Sequence, residues 1–265
     1  MQIASWNVNS LRVRLPQVLT WLEENPVDVL AIQETKTQDP GFPLEEILDA
    51  GYRVVFSGQK TYNGVAILAK QKPEDVITDI PQLDDPQRRI LAATIAGVRV
   101  INLYVVNGSE VGSEKYAYKL DWLEKVIAFI EEEKSRHEQV VVLGDFNIAP
   151  DERDVHDPEK WNKNVILCSQ PERSALEKLC ALGFSDTFRQ FEQEEASFSW
   201  WDYRSGGFPR NQGLRIDLIL ASAALSSVCS FSRIDKTPRA WERPSDHAPV
   251  IAEFKIYCFF KSLNG

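Results

Sequence analysis

The chain has 265 residues, room for one large domain or two small ones, and its 43% apolar and 26% charged residues match an ordinary soluble protein. That balance argues against disorder, and no apolar run approaches the length of a membrane span. A net charge of -9 argues against indiscriminate attraction to nucleic acid while leaving room for a local basic track.

A strand pattern starts within two residues of Met1, at Ile3-Ala4-Ser5-Trp6, which leaves no room for a signal peptide and predicts a cytoplasmic protein. Leu11, Leu15, Val18, Leu19 and Leu22 recur at spacings of three and four, one face of a helix. Val27 to Ile32 suits a buried strand. Tyr52 to Ser57 and Gly64 to Ala69 are β-rich on either side of the turn-prone Tyr62-Asn63-Gly64, and predict a hairpin or adjacent strands. Ile90 to Ile95 and Val98 to Tyr104 follow, with Gly97 between them. Tyr116, Leu120, Leu123, Ile127 and Ile130 mark an amphipathic helix, with Lys134, Arg136 and His137 at its favourable cationic end. Val140 to Leu143 is another buried strand. Ala149 to Gln170 has no period and predicts a long loop. Ser169-Gln170-Pro171-Glu172 then reads as a capping box, and Gly183 as a helix stop. Strand patterns return from Ile216, ending in Val250 to Phe254. Cys168, Cys180, Cys229 and Cys258 form no CxxC pair and predict reduced thiols, most of them buried.

Five polar clusters stand out against these elements: Asn7-Val8-Asn9, Gln33-Glu34, Gly144-Asp145-Phe146-Asn147, Arg215-Ile216-Asp217 and Ser245-Asp246-His247. Taken singly, each has an ordinary explanation. Asn and Asp make Asx turns readily, and a carboxylate at a strand end is usually solvated. If the strands lie side by side, however, Glu34, Asp145, Asp217 and Asp246 converge with Asn7, Asn147 and His247. Such an oxygen-rich set with one imidazole suits a hard cation such as Mg²⁺ rather than zinc, placed to polarise a phosphate oxygen. Because the clusters span residues 7 to 247, a cut into two domains would split the set, which predicts one domain over 1–254 with a short tail at 255–265.

Arg12, Arg14, Lys60, Arg88, Arg89, Lys119, Arg204, Arg210 and Arg215 lie in or near predicted loops and helix starts and are candidates for a basic track. Phe198-Ser199-Trp200-Trp201-Asp202-Tyr203 fits either core or a stacking platform for bases.

In this order the pieces resemble the exonuclease III branch of the endonuclease/exonuclease/phosphatase superfamily, which includes the abasic-site endonucleases. The resemblance runs from Ile3 to Phe254. Its most specific stretches are Gln33-Glu34-Thr35-Lys36, Gln87-Arg88-Arg89, Gly144-Asp145-Phe146-Asn147-Ile148, Trp201-Asp202-Tyr203-Arg204-Ser205, Gly213-Leu214-Arg215-Ile216-Asp217 and Pro244-Ser245-Asp246-His247-Ala248-Pro249. It implies an α/β fold, a four-layer αββα sandwich of two mixed sheets with helices outside. It implies a monomeric Mg²⁺- or Mn²⁺-dependent phosphodiesterase for double-stranded DNA with 3′ ends, nicks or abasic sites. It also implies roles. Glu34 is the principal metal ligand, with Asn7, Asp246, Asp145, Asn147 and His247 around the cation. Asp145 positions or deprotonates the attacking water, Asn147 and Tyr104 hold the phosphate, and Asp217 orients His247. Trp200, Leu214 and Ile216 match positions that line a pocket for an abasic sugar, and of the basic track, Arg12, Lys60, Arg88, Arg89, Lys119, Arg204 and Arg215 are expected to contact DNA.

Val106 stands where the family often has proline, and Ser10 where it often has glycine. Ile166 and Leu167 are larger or more apolar than usual at their positions, and are expected to obstruct an extrahelical abasic site more than a frayed 3′ end. Two competing expectations remain: a phosphoesterase for small phosphorylated molecules or lipid headgroups on the same fold, and a non-catalytic DNA-binding module. The second requires a missing ligand, and none is missing.

Overall fold

A computed structural model describes residues 1–80 and 83–256, and Ser205 by its backbone alone. The predicted tail from 257 onward, with Cys258, lies outside the described residues. The strands among the described residues are β1 (Gln2–Asn7), β2 (Val29–Gln33), β3 (Arg53–Ser57), β4 (Val65–Ala69), β5 (Glu74–Ile77), β6 (Ile90–Ile95), β7 (Val98–Tyr104), β8 (Val140–Asp145), β9 (Phe184–Asp186), β10 (Trp200–Trp201), β11 (Gly213–Leu214), β12 (Asp217–Ser222), β13 (Cys229–Ile234) and β14 (Val250–Phe254). The α-helices are α1 (Leu11–Glu24), α2 (Leu44–Asp49), α3 (Glu114–Arg136), α4 (Gln170–Ala181) and α5 (Ala223–Ser226).

Two six-stranded sheets have the orders β13-β14-β1-β2-β4-β3 and β5-β6-β7-β8-β12-β9. Both are mixed, since β1 and β2, and β7 and β8, pair in parallel within otherwise antiparallel ladders. The expected β3–β4 pair is antiparallel.

The layers follow from alternation along the strands, whose successive side chains point to opposite faces. In β1, Ile3 packs between the sheets while Ala4 and Trp6 pack with Val18, Trp21 and Leu22 of α1. In β8, Val141 and Leu143 face the other sheet, while Val140 and Val142 pack with Trp122, Val126 and Phe129 of α3 and Leu176 of α4. Three apolar layers therefore stack as helix, sheet, sheet, helix. The four-layer αββα sandwich is the observed fold.

Helix α4 starts at the predicted capping box, Ser169 with Glu172, and Gly183 follows it at φ 96°. The stripe on α3 differs from expectation. Its buried residues are Tyr116, Lys119, Trp122, Leu123, Val126, Phe129, Ile130 and Glu133, so Leu120 and Ile127 lie at its edge and two charged residues lie inside it. Cys168 is buried, but Cys180 and Cys229 are only half-buried, short of the expected burial.

Candidate active site

The alternation that builds the core also builds the site. The inward positions of β7 end in Asn102 and Tyr104, those of β8 in Asp145, and those of β2 in Gln33; β12 begins on the inward Asp217. Register aligns Tyr104 with Asp145, and Asp145 with Asp217, in one row across the second sheet. Asn7 aligns with Gln33 across the first. Asp217 thus opens its strand rather than ending one, and reaches the row because β12 runs antiparallel to β8. Asp246 and His247 arrive on the loop before β14.

Gly144 is required where it stands. Its φ is 140°, and a Cβ there would sit 1.9 Å from the carbonyl oxygen of Leu103, so only glycine lets β8 carry Asp145 against β7. Glu34 follows β2 at φ 56°, a left-handed conformation uncommon for a side chain of this kind and often found at functional positions.

The side chains interlock. Asn7 Nδ2 donates to Glu34 Oε1 at 3.0 Å and to Asp145 Oδ2 at 2.9 Å. Tyr104 donates its hydroxyl to Glu34 Oε1 at 2.9 Å, and Arg89 stacks 4.5 Å above the Tyr104 ring. Lys36 Nζ lies 2.8 Å from Glu34 Oε2. Asp246 accepts from Asn9 Nδ2 and from Trp200 Nε1, each at 3.0 Å. His247 Nε2 faces Asp145 Oδ2 at 3.7 Å. Asn147 lies next to the row at φ 48°, with its N–H on Asp145 Oδ1 at 2.9 Å, so the Asx turn is present. Its side chain turns to Asn107 and to the Val105 carbonyl.

The sequence marked Gln33 only as part of a strand-end cluster and assigned Ser5, Asn102 and Ser199 no place in the site. Behind Glu34, Gln33 donates to Ser5 Oγ at 3.0 Å and to Asn102 Oδ1 at 2.8 Å, and Asn102 donates to the carbonyls of Ile32 and Ala66 at 3.0 Å. These fully buried polar groups bolt one sheet to the other directly beneath the carboxylates. Ser199 Oγ accepts from the N–H of Ile216 and of Asp217, both at 3.1 Å, and holds the head of β12. The usable signal for the bolt was a polar residue in phase with the apolar inward positions of β2 and β7.

Residues 4–247 match the sequence pattern of the Endonuclease/Exonuclease/phosphatase family. The chain belongs to that family. It is 36% identical over 267 residues to exodeoxyribonuclease III of Haemophilus influenzae, covering 96% of this chain and 100% of that one. A 3′ phosphatase from Neisseria, solved with a product DNA hairpin, superposes with a TM-score of 0.95 at 50% identity, covering 97% of this chain and 100% of that one. An AP endonuclease from Archaeoglobus fulgidus superposes with a TM-score of 0.92 at 41% identity, covering 97% and 100%.

Within this family frame the electrostatics point to a cation. Four carboxylates, Glu34, Asp145, Asp217 and Asp246, face two cationic side chains, Lys36 and His247. Burial, reinforced by the charges of Asp217 and Glu34, pushes Asp145 up to about 7 against the opposing pull of His247. Burial also presses Glu34 upward, but Lys36 and Asn7 outweigh it and hold the carboxyl below its usual value. Among the described residues, one oxygen of Asp217, Oδ1, is buried without a partner. Surplus buried negative charge on oxygen donors fits a hard divalent cation. Asp145, Asp217 and His247 bring three donor atoms within 4.8 Å of one another, and this group could hold a metal ion. His247 could ligate only in its neutral form, since an imidazolium has no lone pair to give.

The predicted DNA contacts divide. Arg12, Lys60 and Arg204 are exposed, Arg204 beside Asp202. Arg88 is half-buried and paired with Asp79, and Trp200 is half-buried beside Asp246. Lys119 and Arg215 do not face solvent and are corrected to internal roles. Lys119 is 0% exposed and paired with Glu172, and Arg215 is 1% exposed between Asp154 and Asp186. A cation buried in an ion pair cannot meet a backbone phosphate. Leu214 and Ile216 are 0% and 2% exposed in an apolar cluster with Ala149, Val155, Leu167 and Cys168. A ligand touches them only if that cluster opens.

Proposed function

We propose that this chain is a DNA repair phosphodiesterase of the exodeoxyribonuclease III type, dependent on Mg²⁺ or Mn²⁺. It acts as a monomer on 3′ ends, 3′-phosphates and nicks of duplex DNA, with incision at abasic sites as a further activity. The observation that carries the reading is the Tyr104–Asp145–Asp217 row facing Asn7 and Glu34, with His247 between the two aspartates. The Haemophilus influenzae, Neisseria and Archaeoglobus fulgidus relatives support DNA as substrate. Among the described residues no helix is long and apolar enough to cross a membrane, and free Cys168, Cys180 and Cys229 suit a reducing cytoplasm. We read 1–254 as one catalytic domain, because both sheets contribute to the site.

Glu34, with Asn7 and Asp246 beside it, would hold the divalent cation, whose chemistry is Lewis-acid polarisation of a phosphate oxygen. Asp145 takes a proton from the attacking water; a carboxyl near pH 7 is suited to that exchange at neutral pH. The water oxygen bonds to phosphorus, and the bond to the leaving oxygen breaks in line; that oxygen departs with the bonding pair and takes a proton from solvent to become a hydroxyl. Tyr104, once its hydroxyl turns away from Glu34, donates a hydrogen bond to the phosphate, and charged His247, held by Asp217, meets the developing negative charge. Asn147 sets the turn that follows Asp145.

The test is a denaturing gel with pure protein and Mg²⁺ on a recessed 3′ end, a 3′-phosphate nick and an internal abasic site. All activity should vanish in excess chelator. Glu34→Ala should lower kcat by ~10²-fold or more, the scale of losing one electrostatic stabiliser, while still binding DNA. Wild-type rates in chelator would sink the reading.

A further inference from the structure

Lys119 was expected on the DNA-facing surface, yet it is buried with its ammonium group fully engaged. Nζ donates to the carbonyl of Asn147 at 2.7 Å, to the carbonyl of Asn107 at 3.2 Å, and to Glu172 Oε1. Glu172 is equally engaged. Its Oε1 also accepts from the N–H of Leu167 at 3.1 Å, and its Oε2 accepts from the N–H of Ser169 at 3.0 Å and from Ser169 Oγ at 2.6 Å. Both side chains are 0% exposed.

Capping α4 explains only part of this. The Ser169 contacts need one oxygen of Glu172 and no lysine. A buried ion pair is weak support for stability, since apolar residues of the same volume often serve as well. What Lys119 offers that an apolar residue cannot is three diverging donors on one atom. They join two turns that leave adjacent strands of the same sheet: Asn107 after β7 and Asn147 after β8. Those turns also meet through their side chains, with Asn107 Nδ2 donating to Asn147 Oδ1 at 3.1 Å. Asn147 in turn donates its backbone N–H to Asp145 Oδ1 at 2.9 Å. Gly108 lets the first turn close on the lysine stem, because a Cβ there would stand 3.0 Å from Lys119 Cδ and from Ile166 Cδ1. On the other side Glu172 holds Leu167 at φ 70°, and the Leu167 carbonyl accepts from the N–H of Ala149 at 2.7 Å.

We infer that Lys119 and Glu172 are positioning residues: one buried ion pair sets the Asn107–Asn147 clamp beside the base Asp145 and the Leu167 turn in the Leu214–Ile216 cluster. The inference rests on the phosphodiesterase reading for its activity arm, and on geometry alone for its spectroscopic arm.

The experiment uses Lys119→Met/Glu172→Gln, which neutralises both partners and leaves no lone buried charge, and Glu172→Gln as the milder variant. On a nicked 3′-phosphate duplex with Mg²⁺, well below the melting temperature, kcat should fall ~10-fold while KM changes by less than ~2-fold, since misplacement of a reacting group affects the chemical step. A merely structural pair would lower the melting temperature and leave kcat of the folded protein unchanged, and that result overturns the inference. The side-chain amide resonances of Asn107 and Asn147 give a readout without turnover and should shift in Glu172→Gln. Unshifted resonances overturn the positioning role, whatever the activity. A wild type inactive on DNA removes the functional reading but leaves the amide test standing.

Discussion

His247 Nδ1 lies 2.9 Å from Asp217 Oδ2, although the two residues are 30 apart in the chain. Ser199 fixes the head of β12, and Ser245 Oγ, which donates to the Asn7 carbonyl at 2.6 Å, fixes the loop that carries the imidazole. Burial pushes His247 down, but the charges of Asp217 and Asp145 and the Asp217 hydrogen bond overcome it and raise its pKa to about 10. The imidazole is therefore an imidazolium at neutral pH, held where a phosphate would gather charge.

That shift has a sign in stability. The folded pKa of about 10 lies above the ordinary histidine value of 6.5, so the folded state holds the proton more tightly. Its contribution is full below pH 6.5 and is lost as pH rises through about 10. In excess chelator, the melting-temperature advantage of wild type over Asp217→Asn should be greatest at about pH 6 and shrink steadily toward about pH 10. A difference independent of pH would mean that the pair is not charged.

Asp145 and His247 face each other at 3.7 Å and should behave as a unit. Asp145→Asn and His247→Asn should each fold and each lose most of kcat. The double variant should lose less than the product of the two, as groups serving one transition state do. Multiplicative losses in steady-state kinetics would separate their roles.

The site was legible because its residues sit in phase with an apolar alternation that reaches the strand ends. Tyr104, Asp145 and Asp217 extend inward-facing sets that sequence alone exposes, and Asn7 does the same across the first sheet. The helix face was misread for the opposite reason. Leu120 and Ile127 drew the stripe to one side, while Lys119 and Glu133 are in phase with Trp122, Val126 and Phe129 and find partners in Glu172 and Arg99. A charge inside a stripe looks like surface until its partner is known, and each partner is distant in sequence. Short strands such as β10 and β11 were missed because two residues carry no period.

The basic contacts should be local and unselective. Arg88 is partly exposed and paired only at the surface, so Arg88→Ala should weaken binding alike on all sequences and reduce the slope of log affinity against log salt by about one. Arg89 stacks on Tyr104 and donates to its carbonyl at 3.2 Å, so Arg89→Ala should also depress kcat. Fluorescence anisotropy over a salt series checks the first, and a loss confined to one DNA sequence would indicate base readout instead.

Leu167 supplies the last test, because its side chain and its backbone pull in opposite directions. At φ 70° a leucine is strained and a glycine is not, so Leu167→Gly relieves the backbone. The same change removes a 5% exposed side chain from the cluster around Leu214, Ile216 and Cys168, a loss of about 2–4 kcal/mol that the relieved strain only partly offsets. The cavity so formed opens toward the residues expected to receive an extrahelical sugar. A frayed 3′ nucleotide needs less room than a flipped abasic site. The wild type should therefore favour 3′-end processing, and Leu167→Gly should raise abasic incision relative to exonuclease while leaving the 3′-end rate within about threefold. If the wild type cuts an internal abasic site as fast as it resects a recessed 3′ end, Leu167 does not obstruct the pocket.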